Sequence, residues 1–453
     1  MNVPTASAES VDSVDSVESV ERSSRVRPAG QQPFLFVDLL GPLMVALYIV
    51  LKYEPFENTF RPPGAASSVL FPVAAVVVLV VTPTQRLQRV PVSWPVLAFA
   101  LWLVASRLWT EAPSSTDFLI RSELPALLLV AFVAGTIEPR RLVRVLGATF
   151  VAIVTWSLLA SIAWGRSREL IYDSGFVGPQ QGFRGTFGHK NELGIFAVFA
   201  LAFVFAFVRT SYRRPLILVM IAAIVGTRSA TAGSGLFIVL FLWVWMSTIG
   251  SQRSPRERSF VFLLSILSAI TALLLALRLL PALLGLYQKD LTFSGRTLIW
   301  SESLRLIAKQ PFHGFGFGGL FSGPPPFLTG ELRRRIGFDA AHAHNGTIGL
   351  LLDVGVVGIF LFVFVLAQAM VLTVRAFRHP ATVNYGRWGL LSIVALVLMS
   401  LSEPLFDGPN LGLLTIVTVA LARVDNDQKR ANGHVRESGL SQSFAWRTHS
   451  GGT

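Results

Sequence analysis

The chain has 453 residues, of which 52% are hydrophobic and only 14% charged, with a mean hydropathy of +0.58; it is too apolar for a string of soluble domains and reads as an integral membrane protein. It has no cysteine, which excludes disulfides, thiolate metal sites and cysteine nucleophiles. The net charge of +13 does not imply a nucleic-acid partner, because helical membrane proteins accumulate arginine on cytoplasmic loops.

Residues 1–33 carry an acidic serine-valine repeat from Val11 to Glu21 that is too polar to fold, and they read as a disordered cytoplasmic tail. The first apolar run begins only near Phe34, so no cleavable signal peptide is evident. From there, runs long enough for a hydrocarbon core of about 30 Å recur along the chain. They are placed at 34–51, 68–82, 95–109, 121–137, 142–164, 192–208, 212–228, 233–249, 259–281, 346–374, 387–403 and 409–423. The expected fold class is all-α: a polytopic helical membrane domain over 34–423, with about twelve transmembrane helices and a second disordered cytoplasmic tail over 424–453. With the amino terminus inside, the short loops bearing Arg86, Arg140, Arg213, Arg256 and Arg378 all fall on the cytoplasmic side, and so does the carboxy terminus.

Two long loops, 165–191 and 282–345, then face outward. They carry Arg166, Arg168, Arg184 and Lys190, and Lys289, Arg296, Arg305, Lys309 and Arg333 to Arg335. Topology does not favour cations there, so they suit either an anionic ligand or ordinary solvated loop charge. In the second loop, Trp300, Leu304 and Ile307 at i, i+4 and i+7 predict an amphipathic helix over 296–309 at the membrane interface, stopped by Pro311. The glycines at 314, 316, 318 and 319 permit tight turns but lack the Lys-Ser/Thr of a phosphate loop. Pro324 to Pro326 continue the irregular loop, and Arg333 to Arg335 suit lipid headgroups.

Arg228 follows an apolar run of about twelve residues, roughly 18 Å of helix, which places it within the outer half of the bilayer unless the helix starts well before Arg214. The small residues from Ser229 to Gly235 would permit a break there, so Arg228 either lines a cavity or reaches the headgroups. His344, flanked by His342 and Asn345, stands at the start of a helix. A neutral imidazole suits removal of a proton from a hydroxyl, and guanidinium groups suit clamping a phosphate leaving group; a capping or interfacial histidine is the alternative. For a metal, His342 and His344 would lie on different helix faces with no carboxylate cluster nearby, so no metal site is expected. No cofactor is expected either.

The run His344-Asn345, nine residues, then Gly355-Val356-Val357-Gly358 resembles the signature of the O-antigen ligase and polymerase superfamily. Gly295-Arg296 with Trp300, Pro311 to Gly319, and Thr227-Arg228-Ser229-Ala230 resemble three further elements of that family, covering about residues 180–360 together. Arg184-Gly185-Thr186-Phe187-Gly188-His189-Lys190-Asn191 is similar to the exopolysaccharide-polymerase branch. The resemblance implies metal-independent glycosyl transfer at the outer face of the cytoplasmic (inner) membrane. An undecaprenyl-pyrophosphate-linked glycan would be the donor and a glycan or glycolipid the acceptor, alongside other polysaccharide-assembly membrane proteins. Carried over by position, Arg228 and Arg296 would bind the pyrophosphate and His344 would orient or deprotonate the acceptor. Arg184, His189, Asn191, Asn345 and His342 are secondary candidates, with capping of the next helix as the alternative for the first three. A glycan or lipid transporter with gating outer loops is the competing class, although the long loops are not distributed as paired repeats.

Overall fold

A computed structural model describes residues 34–52, 90–164 except 92, 182–249, 296–321, 327–337, 340, 342–406 and 413–429, with isolated positions between 72 and 82 and between 257 and 278. Among these residues every regular element is helical. We label them α1 (Phe34–Lys52), α2 (Trp94–Ala105), α3 (Pro113–Thr136), α4 (Pro139–Trp164), α5 (Lys190–Phe207), α6 (Thr210–Gly226), α7 (Ala230–Ile249), α8 (Arg296–Ile307), α9 (Phe327–Ile336), α10 (Gly346–Phe377), α11 (Val383–Met399) and α12 (413–429). Five helices, α3, α4, α5, α7 and α10, are long and apolar enough to cross a membrane, and α2 and α11 are shorter apolar helices. The chain is thus a multi-pass membrane protein. The expected spans 68–82 and 259–281 lie largely outside the described residues, as do the tail 1–33 and the start of the loop 282–345.

Helix α5 is the centre of the bundle. After Glu192 its sequence is uniformly apolar, and a helix that is hydrophobic all round must be enclosed by protein. Residues Leu193 to Ala206 are accordingly all buried, and α4, α6, α7 and α11 pack around it. Gly194 and Gly235 let neighbours close in, since a Cβ at 194 would meet Ala232 and one at 235 would meet Met399 and Val198.

Helix α10 is broken inside the bilayer-grade run. Gly355 has φ +65° and ψ −169°, so the backbone groups on either side of it lose their helical partners. The glycine-rich loop after Pro311 supplies replacements. Phe315 N donates to Leu352 O (2.7 Å) and Gly316 N to Asp353 O (2.9 Å), while Val356 N donates to Pro311 O (2.8 Å) and Val357 N to Phe312 O (3.1 Å). The indole of Trp102 caps Val354 O at 3.0 Å, and that of Trp109 holds His313 O at 3.0 Å. Two glycines make this docking possible. A Cβ at Gly355 would land on Phe312 O and His313 N, and one at Gly314 would meet Leu352 O.

Several expected boundaries need correction. Pro125 sits inside α3, which begins at Pro113 rather than at 121. The residues 327–336 form α9 instead of continuing an irregular loop. On α8 the buried face is Ile299, Ser303, Leu306 and Ile307, and Leu304 is 54% exposed, so the helix is rotated from the Trp300-Leu304-Ile307 face. The reason is a second small core, in which Ile299 and Leu306 pack with Phe315, Leu332, Ile336 and Ala343. Finally, α11 stops at Met399, leaving Glu403 outside the helix, and α12 runs to residue 429, past the expected tail boundary at 424.

Replacing Gly355 with alanine should destabilise the protein by about 2–5 kcal/mol through left-handed strain and overpacking. Gly349→Ala, in the same helix with nothing within 4 Å of its new Cβ, should instead gain about 0.5–1 kcal/mol. Midpoints of thermal unfolding in one detergent, followed by size-exclusion fluorescence, separate the two variants.

Candidate functional site

The candidate site forms where four pieces of chain meet at one end of the bundle: the entrance to α5, the start of α8, the segment before α10, and the turn after α11. Their common point is the carboxylate of Glu403, whose side chain is 7% exposed. Oε1 accepts from Arg296 Nη2 at 2.9 Å and from Asn191 Nδ2 at 2.6 Å. Arg296 Nη1 also donates to Ser402 O. Oε2 lies 3.8 Å from His344 Nδ1, beyond hydrogen-bond length, and Nδ1 is a buried nitrogen with no hydrogen-bond partner. Burial alone would raise the Glu403 carboxyl, but the His344 imidazole and the Arg296 guanidinium outweigh it and hold it down at about 2.

His344 is fixed by its neighbours. Trp300 Nε1 donates to Ala343 O at 2.9 Å, which ties the segment to α8, and Asn345 caps α10 by accepting from Thr347 N and Ile348 N, both at 3.0 Å. Between these anchors His344 takes φ +49°. His342 stands beside it with ring centroids 4.0 Å apart, and His342 Nδ1 accepts from His344 N at 3.3 Å. Burial pushes the His342 imidazole down to about 3, with help from the charges of His344 and Arg296 against that of Glu403. His342 is therefore a poor proton acceptor.

Arg228 occupies the tight turn between α6 and α7, also at φ +49° and exposed. Among the described residues, Arg228 and His344 are the two non-glycine positions in the left-handed region, and backbone strain of this kind clusters at functional sites. Since α6 begins at Thr210, the helix starts earlier than the short apolar run suggested, and Arg228 lies in the connection between helices. The turn is joined to the Glu403 segment through Thr231 Oγ1 and Ser402 Oγ, 2.7 Å apart.

The secondary candidates divide. Asn191 reaches the carboxylate, but His189 is a helix cap: its Nδ1 accepts from Asn191 N at 3.1 Å, and its own N–H donates to Glu192 Oε2 at 3.1 Å. Arg184 Nη1 donates to Gly188 O at 3.0 Å, bracing that turn. In the second loop, Arg305 and Lys309 pair with Glu331 at 2.8 and 3.3 Å, and Arg335 pairs with Glu331 at 3.1 Å. Those ion pairs fasten α8 to α9.

Glu403 was not a candidate from sequence, being hidden at the end of an apolar run. The only available signal was an acid, in Ser402-Glu403-Pro404, at a span terminus. The separation of His342 from His344 also fails, because both precede α10 and are not helical. With Glu403 they form a group whose potential ligand atoms lie within 4.8 Å of one another. The guanidinium of Arg296 on the same carboxylate opposes a cation there.

The fold and this cluster define a multi-pass helical membrane protein with a histidine, an arginine and a buried carboxylate joined at one end of the bundle. Residues 215–363 match the family model described as O-antigen ligase, a stretch that contains Arg228, Arg296 and His344. The chain is 25% identical over 375 residues to the exopolysaccharide production protein ExoQ of Rhizobium meliloti, covering 78% of this chain and 82% of that one. It is also 25% identical over 363 residues to an O-antigen ligase of Pseudomonas aeruginosa, covering 78% and 81%. These matches bear out the O-antigen ligase resemblance read from the motifs.

Folding holds His342 neutral where the unfolded imidazole takes up a proton near pH 6.5. Its contribution to stability is thus complete above about pH 6.5 and is lost as pH falls toward about 3. Glu403, depressed in the same direction, loses its contribution only below about pH 4.3, as pH approaches about 2. Between pH 7 and 5 the thermal midpoint should fall, and His342→Gln should flatten that slope while Glu403→Gln should leave it.

Proposed function

We propose that this protein is a membrane glycosyltransferase that polymerises or ligates surface polysaccharide from an undecaprenyl-pyrophosphate-linked glycan at the outer face of the cytoplasmic membrane, with both termini inside. The observation that carries this reading is the convergence of His344, Arg296 and Glu403 at one end of the bundle. The acceptor is a glycan or glycolipid, and other polysaccharide-assembly membrane proteins would supply or receive the product.

In the reaction, the acceptor hydroxyl attacks the anomeric carbon of the donor glycan. The bond from that carbon to the pyrophosphate oxygen breaks, and the leaving lipid pyrophosphate keeps the electron pair. His344 takes the hydroxyl proton, and the Glu403 carboxylate 3.8 Å from its Nδ1 stabilises the imidazolium that results, much as an acidic partner does for a catalytic histidine elsewhere. Arg228, exposed and without a side-chain partner among the described residues, supplies positive charge to the pyrophosphate. Arg296 holds Glu403 and offers its remaining N–H groups, since a guanidinium carries five donors. Asn191 steadies the carboxylate from α5, and Asn345 sets the direction of α10 beneath His344.

A metal at His342, His344 and Glu403 would sit beside the Arg296 guanidinium paired to the same carboxylate, and that positive charge favours a metal-independent route. A transporter with gating loops would need a path through the bundle rather than this fixed cluster, and we place it second.

Purified protein given lipid-pyrophosphate-linked glycan and acceptor in EDTA should form product. His344→Ala should lose about 10²- to 10⁴-fold in rate, Arg228→Ala and Arg296→Ala should lose activity, and Glu403→Gln should lose it with little change in donor binding. Wild-type turnover by His344→Ala sinks the general-base role, and loss of turnover in EDTA restores a metal. A ladder of products marks a polymerase and a single addition a ligase.

A further inference from the structure

A second charged site lies at the other end of α10. From Gly355 to Arg375 the helix advances about 30 Å at roughly 1.5 Å per residue, so the last turn of α10 stands about a hydrocarbon thickness beyond the break at Gly355. There α10, the 378–382 connection and α12 enclose a cleft of about 270 Å³ lined by Arg375, Arg378, His379, Asp425, Gln428 and Lys429.

The cleft is a built feature. Thr382, itself buried, accepts from Gln428 Nε2 at 2.9 Å and donates to Ala376 O at 2.8 Å, tying α12 to the end of α10. Asp425 is shared between Lys429 Nζ at 2.7 Å and Arg375 Nη1 at 3.3 Å. Arg378 caps α10, is exposed, and has no side-chain partner among the described residues. Three cations thus face one carboxylate. The carboxy-terminal ends of α10 and α12 offset about half a charge each, which leaves a positive cleft with an unengaged guanidinium at its mouth.

We propose that this cleft binds a phosphate-bearing anion, most naturally the headgroup of an anionic phospholipid, at the membrane face opposite the glycosyl-transfer site. Arg378 makes the direct bidentate contact that planar guanidinium groups form with phosphate. Arg375 and Lys429, positioned by Asp425, complete the positive wall. The site is separate from the His344 cluster, and its occupancy does not depend on the glycan chemistry proposed above.

The test uses full-length protein in detergent, with native mass spectrometry and thermal midpoints read against phosphatidylglycerol, phosphatidylcholine and inorganic phosphate. Wild type should bind and be stabilised by phosphatidylglycerol over phosphatidylcholine. Arg378→Gln, which breaks no ion pair, should weaken that binding about tenfold, as loss of one charged hydrogen bond predicts, and Arg378→Gln with Lys429→Gln should weaken it further. Stabilisation by inorganic phosphate that depends on Arg378 also supports the site and identifies a soluble anion as its source. Equal binding of both lipids, or anion binding unchanged in folded variants that keep the wild-type midpoint without ligand, overturns it.

Discussion

A helix broken at membrane depth must have its freed backbone groups satisfied by protein, because lipid offers them nothing. In α10 that constraint falls on Gly355, and the loop from Pro311 to Gly316 meets it with hydrogen bonds running in both directions. The two glycine-bearing motifs are therefore the two halves of one backbone junction. Its consequence is positional. The loop follows α8 and docks on α10, so Arg296 at the head of α8 and His344 at the head of α10 are held by the same joint, with Trp300 on Ala343 O as a second tie.

Glu403 depends on that joint and in turn gives it chemical meaning. A buried carboxylate is costly unless it is paired and its lone pairs are used, and here α5 and α8 each contribute to satisfying it through Asn191 and Arg296. The carboxylate's second oxygen is directed toward a histidine nitrogen that has no other partner. One group thus links the central helix of the bundle to the segment that carries the candidate base. The ion pair with Arg296 keeps Glu403 anionic, and it also means that Arg296 is already engaged before any anion arrives.

Much of this was legible in the chain. Hydropathy located α1, α4, α5, α6 and α7 to within a few residues, because spacing and length of apolar runs report directly on burial in lipid or protein. The motif residues His344, Arg228 and Arg296 could be named because their types suit the chemistry. What the sequence concealed were relations across distance. Glu403 reads as the end of a span until Asn191, over two hundred residues earlier, is seen to reach it. The cations of α8 and α9 look available until Glu302 and Glu331 are found to bind them. His342 and His344 seem to point apart only if helical geometry is assumed before the helix begins.

The two strained positions show how the relations matter. A left-handed conformation costs a non-glycine residue roughly 1–2 kcal/mol, so it persists only where the surroundings over-determine it. At His344 the determinants are visible on both sides: Trp300 fixes the preceding carbonyl, His342 accepts the His344 N–H, and Asn345 caps the helix that follows. At Arg228 they are the close packing of Thr227, which is buried and bonds Ile224 O at 2.7 Å, and the Thr231–Ser402 contact. In both cases the strain turns a polar side chain out of a helix terminus at the same end of the bundle. Relieving either one would let the residue rejoin its helix, and the helix direction would then decide where the side chain points. The fold instead holds each at a bend whose geometry is set by neighbours, and both sets of neighbours meet in the short segment from Ser400 to Glu403.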